Sequence, residues 1–310
     1  MDNKQEAKYI ERIEIKGLWG RYDVDWKLNR DVNILVGENG TGKSTILDIL
    51  FRFFKFQVTK KNLFLIFNKA KLSYRINEEK KNYDAHIHEG TVTFRENHTT
   101  KSGYSISTIP EYEQFLLNFI STFDTNPFDK TEYVEKNKTY INTHLDQDLD
   151  AILPQYIVYQ NKLLRKNGDR VKTLEKNNFF FETINRLFEP TKKKIFEDND
   201  ITDANLMLKF MTEDNKKLSV FELSSGEKQL LLILLTVLCQ DEKPFILLMD
   251  EPEISLHLRW QYELIEIIRT LNPNCQIIIV THSPSIFGKG WRDKLFWIED
   301  IVKKKEVINE

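Results

Sequence analysis

The chain has 310 residues, of which 41% are hydrophobic and 30% are charged, and its formal net charge is −2. These values predict one large α/β domain, or a domain with one sizeable insertion, and they supply enough apolar residues for a core. The near-neutral charge excludes a global electrostatic attraction to nucleic acid or anionic lipid. No stretch approaches the ~20 apolar residues that span a bilayer, and neither Cys239 nor Cys275 is part of a CxxC pair. We therefore expect a soluble cytoplasmic chain with reduced thiols and no membrane partner.

The segment GENGTGKS, residues 37–44, has the form GxxxxGK[ST]. It follows a short apolar run, residues 32–36, which predicts a buried parallel strand, and it precedes a helical pattern that we expect to open at Thr45. This is the context in which such a segment binds phosphate. The alternative is an ordinary glycine-rich turn before a helix. The candidate nucleotide-binding residues here are Gly37, Glu38, Asn39, Gly40, Thr41, Gly42, Lys43, Ser44 and Thr45.

The chemistry of a phosphate site explains these residue types. Glycines allow positive φ and close approach of the backbone, so that successive N–H groups and the helix N-terminus can surround a polyphosphate. Lys43 would then lie between the β- and γ-phosphates, and the Ser44 hydroxyl would ligate Mg²⁺. The sequence thus predicts a site for a nucleotide and its metal.

Alternation of apolar and polar residues predicts an antiparallel side sheet. Residues 13–15 and 24–28 read as two strands joined by a glycine-bounded turn, and short strands are predicted at 72–76, 92–94 and 104–106. Within the turn, Trp19 could stack on adenine and Arg21 could contact phosphate. Equally, the Trp could be a packed side chain and the Arg a solvated one.

The middle of the chain is predicted to be an insertion. Residues 130–196 have a charged helical pattern, interrupted by Pro154, Gly168 and Pro190, which is too short for a long coiled coil. A hairpin is predicted from residues 205–221. We therefore divide the chain into an N-terminal part of a core (1–56), an inserted arm and helical region (57–200) and a C-terminal part of the core (201–310).

Three further motifs follow the insertion. The segment LSSGE, residues 223–227, precedes an apolar helical pattern. Next comes a predicted buried strand that ends in Asp250 and Glu251, and then a second that is followed by His282. Because the carboxyl ends of parallel strands meet at one crevice, we expect Asp250 to hold Mg²⁺ through water, Glu251 to act as the base that orients the attacking water, and His282 to reach the γ-phosphate. An acidic pair alone is often a plain strand end, and a lone His is more often structural, but the order of four motifs argues against coincidence.

These motifs resemble the Walker A, signature, Walker B and switch-histidine segments of ABC-type ATPases, and more closely those of the SMC, RecF and OLD-like branch than those of transporters. The resemblance implies an α/β P-loop NTPase of the ABC-ATPase head type, with an antiparallel β side sheet, an inserted helical lid and no long coiled coil. It also implies ATP and Mg²⁺ as ligands and a head-to-tail homodimer or higher homo-oligomer with composite ATP sites. The signature residues carried over from the family are Ser224, Ser225, Gly226 and Glu227.

The sequence departs from the family pattern in three places. Ser225 replaces the first glycine of the signature. No Q-loop glutamine stands out among Gln57, Gln155 and Gln160, and the end of the segment 119–124 could occupy that position instead. The form DEPEISLH, with His257 where many relatives have Asp, resembles OLD-like ATPases and bacterial defence ATPases such as those of PARIS, Septu and retron systems.

The resemblance leads to a first hypothesis and an alternative. The first is an ATP-hydrolysing sensor or scaffold of anti-phage defence that controls a separate effector, a nuclease of Toprim or HNH type, since this chain shows no nuclease motif of its own. The alternative is a DNA repair or replication ATPase of the RecF or SMC kind. A transporter ATPase is disfavoured because far more residues separate Lys43 from Ser224 than transporter subunits use. The basic runs 192–194 and 303–305 could contact DNA, although such runs are more often solvated faces.

Overall fold

The computed structural model describes residues 8–55, 67–77, 79–88, 91–98, 116–121, 143–163, 170–197 and 208–304. Its contacts divide the chain into two compact units. The loop-bearing unit comprises Met1–Ile120, Pro244–Glu251 and Asn274–Glu310, and the helical unit comprises Ser121–Lys243 and Pro252–Pro273. The predicted strand at 104–106 lies outside the described residues, and the predicted domain boundaries stay a prediction. None of the helices in the described ranges combines the length and the apolar character that a membrane crossing needs.

The described residues form strands and helices in the following order. The strands are β1 (Lys8–Leu18), β2 (Tyr22–Lys27), β3 (Val32–Val36), β4 (Lys69–Ile76), β5 (Glu79–His88), β6 (Thr91–His98), β7 (Leu116–Ser121), β8 (Lys193–Glu197), β9 (Leu208–Thr212), β10 (Lys217–Ser219), β11 (Phe245–Asp250), β12 (Cys275–Val280), β13 (Leu295–Trp297) and β14 (Val302–Lys304). The α-helices are α1 (Lys43–Lys55), α2 (His144–Leu163), α3 (Arg170–Phe188), α4 (Ser225–Cys239), α5 (Leu258–Leu271), α6 (Pro284–Phe287) and α7 (Ile298–Ile301).

A five-stranded sheet of order β13-β3-β12-β11-β7 carries the candidate site. β11 pairs parallel with β12, β12 with β3, and β13 with β3. Every residue of β3, β11 and β12 is buried, which explains why these segments are continuous apolar runs rather than alternating ones. The register places Asp250 opposite Val280, and Val280 opposite Leu35. The ends of the three strands therefore meet at one edge, as the sequence predicts.

The side sheet is antiparallel and has the order β14-β2-β1-β4-β5-β6. The predicted strands around residues 13–15, 24–28, 72–76 and 92–94 are confirmed, whereas β5 and β14 are not predicted. Gln276 on β12 fastens this sheet to the parallel one: it accepts a hydrogen bond from Ile10 N at 2.8 Å and donates to Ile10 O at 2.9 Å and to Asn29 O at 2.7 Å. Its side chain is buried, so these bonds satisfy polar groups that water cannot reach.

The helical unit contains α2 to α5 and an antiparallel three-stranded sheet of order β10-β9-β8. The predicted hairpin is β9 and β10, and the helical prediction holds for α2 and α3. It is wrong for residues 193–196, which belong to β8, because Pro190 and the left-handed Lys192, with a φ of 55°, lead the chain out of the helix. Pro154 lies within α2 instead of interrupting it; its exposed position allows water to solvate the carbonyl that loses its helical partner.

Candidate nucleotide-binding site

The loop between β3 and α1 can be built only with glycines at two positions. Gly42 has a φ of +98°, and a Cβ there would lie 2.6 Å from the ring of Trp19. Gly37 has a φ of +152°, and a Cβ there would lie 2.2 Å from a methyl carbon of Ile298. Both are contacts that real Cβ atoms do not make, so the loop is shaped by its neighbours as well as by its own backbone.

Helix α1 begins at Lys43, two residues before the predicted start at Thr45. The difference arises because Gly42 O already accepts a hydrogen bond from Ile46 N at 2.9 Å, which closes the first turn earlier. The N–H groups of a first helical turn have no partner within the helix, and the helix dipole makes that end positive. The end of the loop is therefore suited to an anion such as phosphate.

Lys43 holds the loop from the inside. Its side chain is buried, and its Nζ donates to Gly37 O at 3.1 Å and to Glu38 O at 2.8 Å. Burial lowers the pKa of Lys43, although the carboxylates of Glu251, Asp250 and Glu299 oppose the shift. The ammonium is thus fixed within the curve of the loop, where its positive charge would lie next to a bound phosphate.

Ser44 and Asp250 join the loop to the end of β11. The Ser44 hydroxyl donates to Asp250 Oδ1 at 2.9 Å. A hydroxyl and a carboxylate in contact are hard oxygen ligands of the kind that Mg²⁺ takes. Among the described residues, no cluster of three or more His, Cys, Asp or Glu side chains could hold a metal by itself. This arrangement fits Mg²⁺ in particular, because that ion commonly uses one or two protein ligands and completes its shell with water and phosphate oxygens.

Glu251 is held in an unusual backbone conformation beside His282. Its φ is +49°, and its N–H donates to Val280 O at 2.8 Å, on the neighbouring strand. Its Oε1 lies 3.0 Å from His282 Nε2. A residue other than glycine in the left-handed region costs about 1–3 kcal/mol, and such strain concentrates at functional sites. The structure thus brings Lys43, Ser44, Asp250, Glu251 and His282 to one edge of the sheet.

The signature segment lies in the helical unit at the start of α4. Ser224 is the N-cap and forms a capping box with Glu227. Ser224 and Ser225 are exposed, whereas Gly226 and Glu227 are buried. A Cβ on Gly226 would lie 2.2 Å from Ser255 O, so this glycine is required by close packing. The exposed part of the predicted signature is thus its two serines, and Glu227 lies inside the unit.

Several other sequence predictions are placed by the structure. Trp19 packs against Gly42 and stands edge-on to Tyr22, at 6.3 Å between ring centroids, while 38% of its surface remains exposed; Arg21 is exposed. His257 caps α5 by accepting from Arg259 N at 3.3 Å.

Of the Q-loop candidates, two lie in the helical unit and the others lie outside the described residues. Gln160 donates to Asn177 inside the helical unit, and Gln155 is exposed. Gln57 and residues 122–124 lie outside the described residues, although β7 is the neighbour of β11 in the sheet.

Sequence reasoning missed two neighbours of the phosphate loop. Ile298 packs against Gly37, and the Glu299 carboxylate lies near enough to Lys43 to oppose the burial shift of its pKa. Both belong to α7, a four-residue helix after β13. No motif marks this segment; only the parallel pairing of β13 with β3 brings it to the loop.

The chain is similar to several curated proteins, among them a Septu protein and two retron ATPases. It is 22% identical over 299 residues to the Septu protein PtuA of Bacillus thuringiensis, and the match covers 89% of this chain and 72% of that protein. Over 166 residues it is 27% identical to the Retron Vc95 probable ATPase of Vibrio cholerae serotype O1 biovar El Tor, and 28% identical to the Retron Ec83 probable ATPase of Escherichia coli. These matches cover 44% and 46% of this chain, but only 32% and 30% of the two retron ATPases.

Solved structures of SMC head domains share the fold. The SMC head domain from Thermotoga maritima superposes with a TM-score of 0.54 at 17% identity, covering 93% of this chain and 94% of that one. An SmcHead bound to the C-winged helix domain of ScpA gives a TM-score of 0.57 at 15% identity, covering 90% and 91% of the two chains. At these identities the likeness concerns the fold, and it confirms the predicted P-loop ATPase head.

A family model described as "AAA domain, putative AbiEii toxin, Type IV TA system" matches residues 32–288. This range begins with the first residue of β3 and ends just after α6, so it includes the phosphate loop, the signature, Asp250, Glu251 and His282. Because the match extends over well more than half of the sequence, the chain belongs to this family of AAA-type ATPases.

Proposed function

We propose that the chain binds ATP with Mg²⁺ at the edge formed by β3, β11 and β12, hydrolyses it, and pairs head to tail with a second copy around the nucleotide. The observation that carries this proposal is the convergence of Lys43, the Ser44–Asp250 contact and the Glu251–His282 contact at one sheet edge. Four polar side chains and a cation from three separate parts of the sequence come together there, close to the N-terminus of α1. Together they match the demands of phosphate hydrolysis.

Each residue has a distinct role in this proposal. The loop N–H groups and Lys43 bind the phosphates, and Ser44 with Asp250 would hold Mg²⁺, which supplies charge neutralisation when bound. Glu251 orients a water molecule and accepts its proton, because its carboxylate is fixed in place by a strained backbone and by His282. His282 holds Glu251 in that orientation through Nε2 and would lie close to the γ-phosphate.

Two features of the helical unit support pairing with a second copy. The exposed Ser224 and Ser225 stand at the N-terminus of the 15-residue helix α4, an end that suits an anion supplied from outside the unit. Beside it, the segment that contains Ser255 carries three exposed apolar side chains, which we call the stripe: Ile254 in the short 3-10 turn before α5, and Leu258 and Tyr262 on α5 itself. Such an exposed apolar stripe is typical of a protein interface.

The biological setting follows from the resemblance and from the relatives. The Septu protein and the two retron ATPases are named after Septu and retron systems. The motif DEPEISLH of this chain resembles the ATPases of such systems, which we associate with bacterial anti-phage defence. We therefore infer that the chain is a sensor or scaffold whose nucleotide-driven assembly controls a separate effector, a nuclease of Toprim or HNH type. It would act in the cytoplasm, where its ATP is.

One experiment tests both parts of the proposal. The Glu251→Gln chain is purified from its own host with ATP and Mg²⁺, and the native mass of the complex is measured, with Lys43→Ala as control. We expect a homodimer or larger assembly that retains ATP and contains the effector, and a nucleotide-free monomer for Lys43→Ala. A monomer without nucleotide in both samples would contradict the proposal. ATP hydrolysis stimulated by DNA, with a DNA affinity that falls steeply with salt, would favour the repair ATPase instead.

A further inference from the structure

Lys193 holds the buried carboxylate of the signature. Lys193 lies on β8, and its Nζ donates to both oxygens of Glu227, at 2.8 and 2.7 Å. The Glu227 side chain is 1% exposed and that of Lys193 is 19% exposed. The pair joins the first turn of α4 to the small sheet within the helical unit. The roles predicted for the nucleotide motifs do not involve this ion pair between Lys193 and Glu227.

Glu227 in turn holds the capping serine. Its Oε2 accepts a hydrogen bond from Ser224 N at 2.9 Å and another from Ser224 Oγ at 2.9 Å. Glu227 N donates back to Ser224 Oγ at 3.4 Å. A serine hydroxyl has a single proton. In this arrangement the Ser224 hydroxyl therefore donates its one hydrogen bond to Glu227, and it has no further proton with which to hydrogen-bond to a phosphate.

The charge balance at Glu227 decides whether the Ser224 hydroxyl can leave this hydrogen bond and turn toward another acceptor. Burial alone would raise the pKa of Glu227, but hydrogen bonds from Lys193, Ser224 and Thr191 outweigh it, and the pKa lies below its ordinary value. If the Ser224 hydroxyl turns outward, the carboxylate still has Lys193, Ser224 N and Thr191 as donors. Without Lys193, the same rotation would leave a buried carboxylate with neutral donors and without the cation that compensates its charge, which is unfavourable.

We propose that Lys193 is a positioning residue: by compensating Glu227, it allows the Ser224 hydroxyl to turn to the γ-phosphate of a nucleotide held by a second copy of the chain. This inference rests on the proposed function, in which the signature meets the nucleotide of another subunit. It assigns to Lys193 an effect on ATP-dependent pairing and none on nucleotide binding by the phosphate loop, which lies in the other unit.

Lys228, which follows Glu227 on α4, offers a matched control for Lys193. Lys228 also forms a buried ion pair, with Asp146 on α2, at 2.7 Å and with side-chain exposures of 12% and 2%. Its side chain does not share an acceptor with Ser224, so its loss removes a similar buried pair from the same helical turn. Lys192 is a second control, because it pairs with Glu213 at 2.6 Å on an exposed surface.

The test measures pairing and nucleotide binding separately in the Glu251→Gln background. Analytical ultracentrifugation gives the dimer dissociation constant at saturating Mg²⁺ and ATP, and a fluorescent ATP analogue gives the affinity of the monomer at low protein concentration. We expect Lys193→Met to weaken pairing by about tenfold or more, the equivalent of one hydrogen bond to a charged group, and to leave monomer affinity within about twofold. Lys193→Arg should restore most of the pairing, and so should Glu227→Gln added to Lys193→Met, because it removes the charge that needs compensation.

The controls separate positioning from stability. Lys228→Met should lower the melting temperature yet pair like its parent, and Lys192→Met should change neither property. Equal weakening by Lys193→Met and Lys228→Met, or unchanged pairing in Lys193→Met, would overturn the role of Lys193. If Lys193→Met does not fold, Lys193→Gln, which keeps a neutral donor, takes its place with the same expected direction. A Glu251→Gln parent that forms no dimer with ATP would overturn the composite site itself, and the role of Lys193 with it.

Discussion

Glu251 is the residue whose substitution separates binding from hydrolysis in the proposed mechanism. Glu251→Gln keeps the shape of the side chain and a hydrogen bond to His282, but the amide cannot accept a proton from water. We expect it to retain ATP and to lower turnover by about 10²–10⁴-fold, the usual contribution of a general base. Steady-state phosphate release and equilibrium ATP binding, measured on the same sample, check both halves.

A nearby carboxylate provides the control for Glu251. Glu299 is exposed and also acts electrostatically on Lys43, but it belongs to α7 and is not held next to His282. Glu299→Gln should therefore change turnover by less than about tenfold. Hydrolysis at the wild-type rate in Glu251→Gln, or an equal loss in the two variants, would remove Glu251 from the role of base.

Gly42 tests how the phosphate loop is shaped. Gly42→Ala adds both a strained φ and a steric clash with the ring of Trp19. Gly290 has a φ of +89° and open space around it, so Gly290→Ala adds only the strained φ. Thermal and urea unfolding should show a loss of about 1 kcal/mol for Gly290→Ala and a larger loss for Gly42→Ala. Trp19→Ala combined with Gly42→Ala should recover the difference. No recovery in that double variant would mean that the contact with Trp19 does not shape the loop.

At the level of single residues, motifs identified the polar groups at the sheet edge but not their orientation. Lys43, Ser44, Asp250, Glu251 and His282 follow from spacing and strand ends. That Glu227 turns inward to Lys193, while Ser224 stays exposed, does not follow from the segment LSSGE, because the same glutamate can cap a helix or contact a ligand. The partner on β8 lies too far along the chain for any local pattern to reveal it.

The start of α4 should make the helical unit sensitive to acid. The pKa of Glu227 is lowered in the folded chain, so its stabilisation is fully present above the ordinary value of 4.5 and is lost as the pH falls through the lowered pKa. We expect Glu227→Gln to be less stable than the wild type at pH 7 and the gap in unfolding free energy to narrow below about pH 4.5. Urea unfolding at a series of pH values measures that gap.

The exposed partner of Lys192 is the control for this pH dependence. Glu213 and Lys192 are about two-thirds exposed, and exposed pairs contribute at most about 1 kcal/mol. Glu213→Gln should therefore stay close to the wild type at every pH. A gap for Glu227→Gln that stays constant from pH 7 down to a pH well below the lowered pKa would show that the charge of Glu227 does not stabilise the fold.

Elements were predictable where the pattern was strong and the packing did not overrule it. β3, β11 and β12 are short, mostly apolar runs that are buried on both faces, and such runs predict strands of a parallel sheet. The sequence predicts helix up to residue 196 because the start of β8 follows a helical stretch, and only Pro190 and the left-handed Lys192 mark the change to a strand. Proline alone is a weak signal, since Pro154 lies within a continuous α2.

For the whole molecule, the motifs gave the class of fold and the comparisons agree with it. Sheet order did not follow from the sequence, because β13 lies beside β3 although more than 250 residues separate them in the chain. That pairing brings α7 to the phosphate loop, and it could be found only from coordinates. The proposed assembly likewise does not follow from any periodicity, since no sequence motif marks Ile254, Leu258 and Tyr262 as exposed apolar side chains.

That stripe makes assembly testable with one substitution and a matched control. Leu258 is 55% exposed beside the signature, and Leu174, on α3, is 46% exposed elsewhere in the helical unit. If a second copy covers the stripe, Leu258→Asp buries a carboxylate without a partner and should abolish the ATP-dependent dimer of Glu251→Gln, because burying an unpaired charge costs more than the contact gains. Leu174→Asp should dimerise like the parent. Light scattering with and without ATP measures both, and circular dichroism confirms that each variant folds. Dimerisation of Leu258→Asp at the parent's ATP and protein concentrations would mean that the second copy does not cover this surface, whatever the nucleotide does at the phosphate loop.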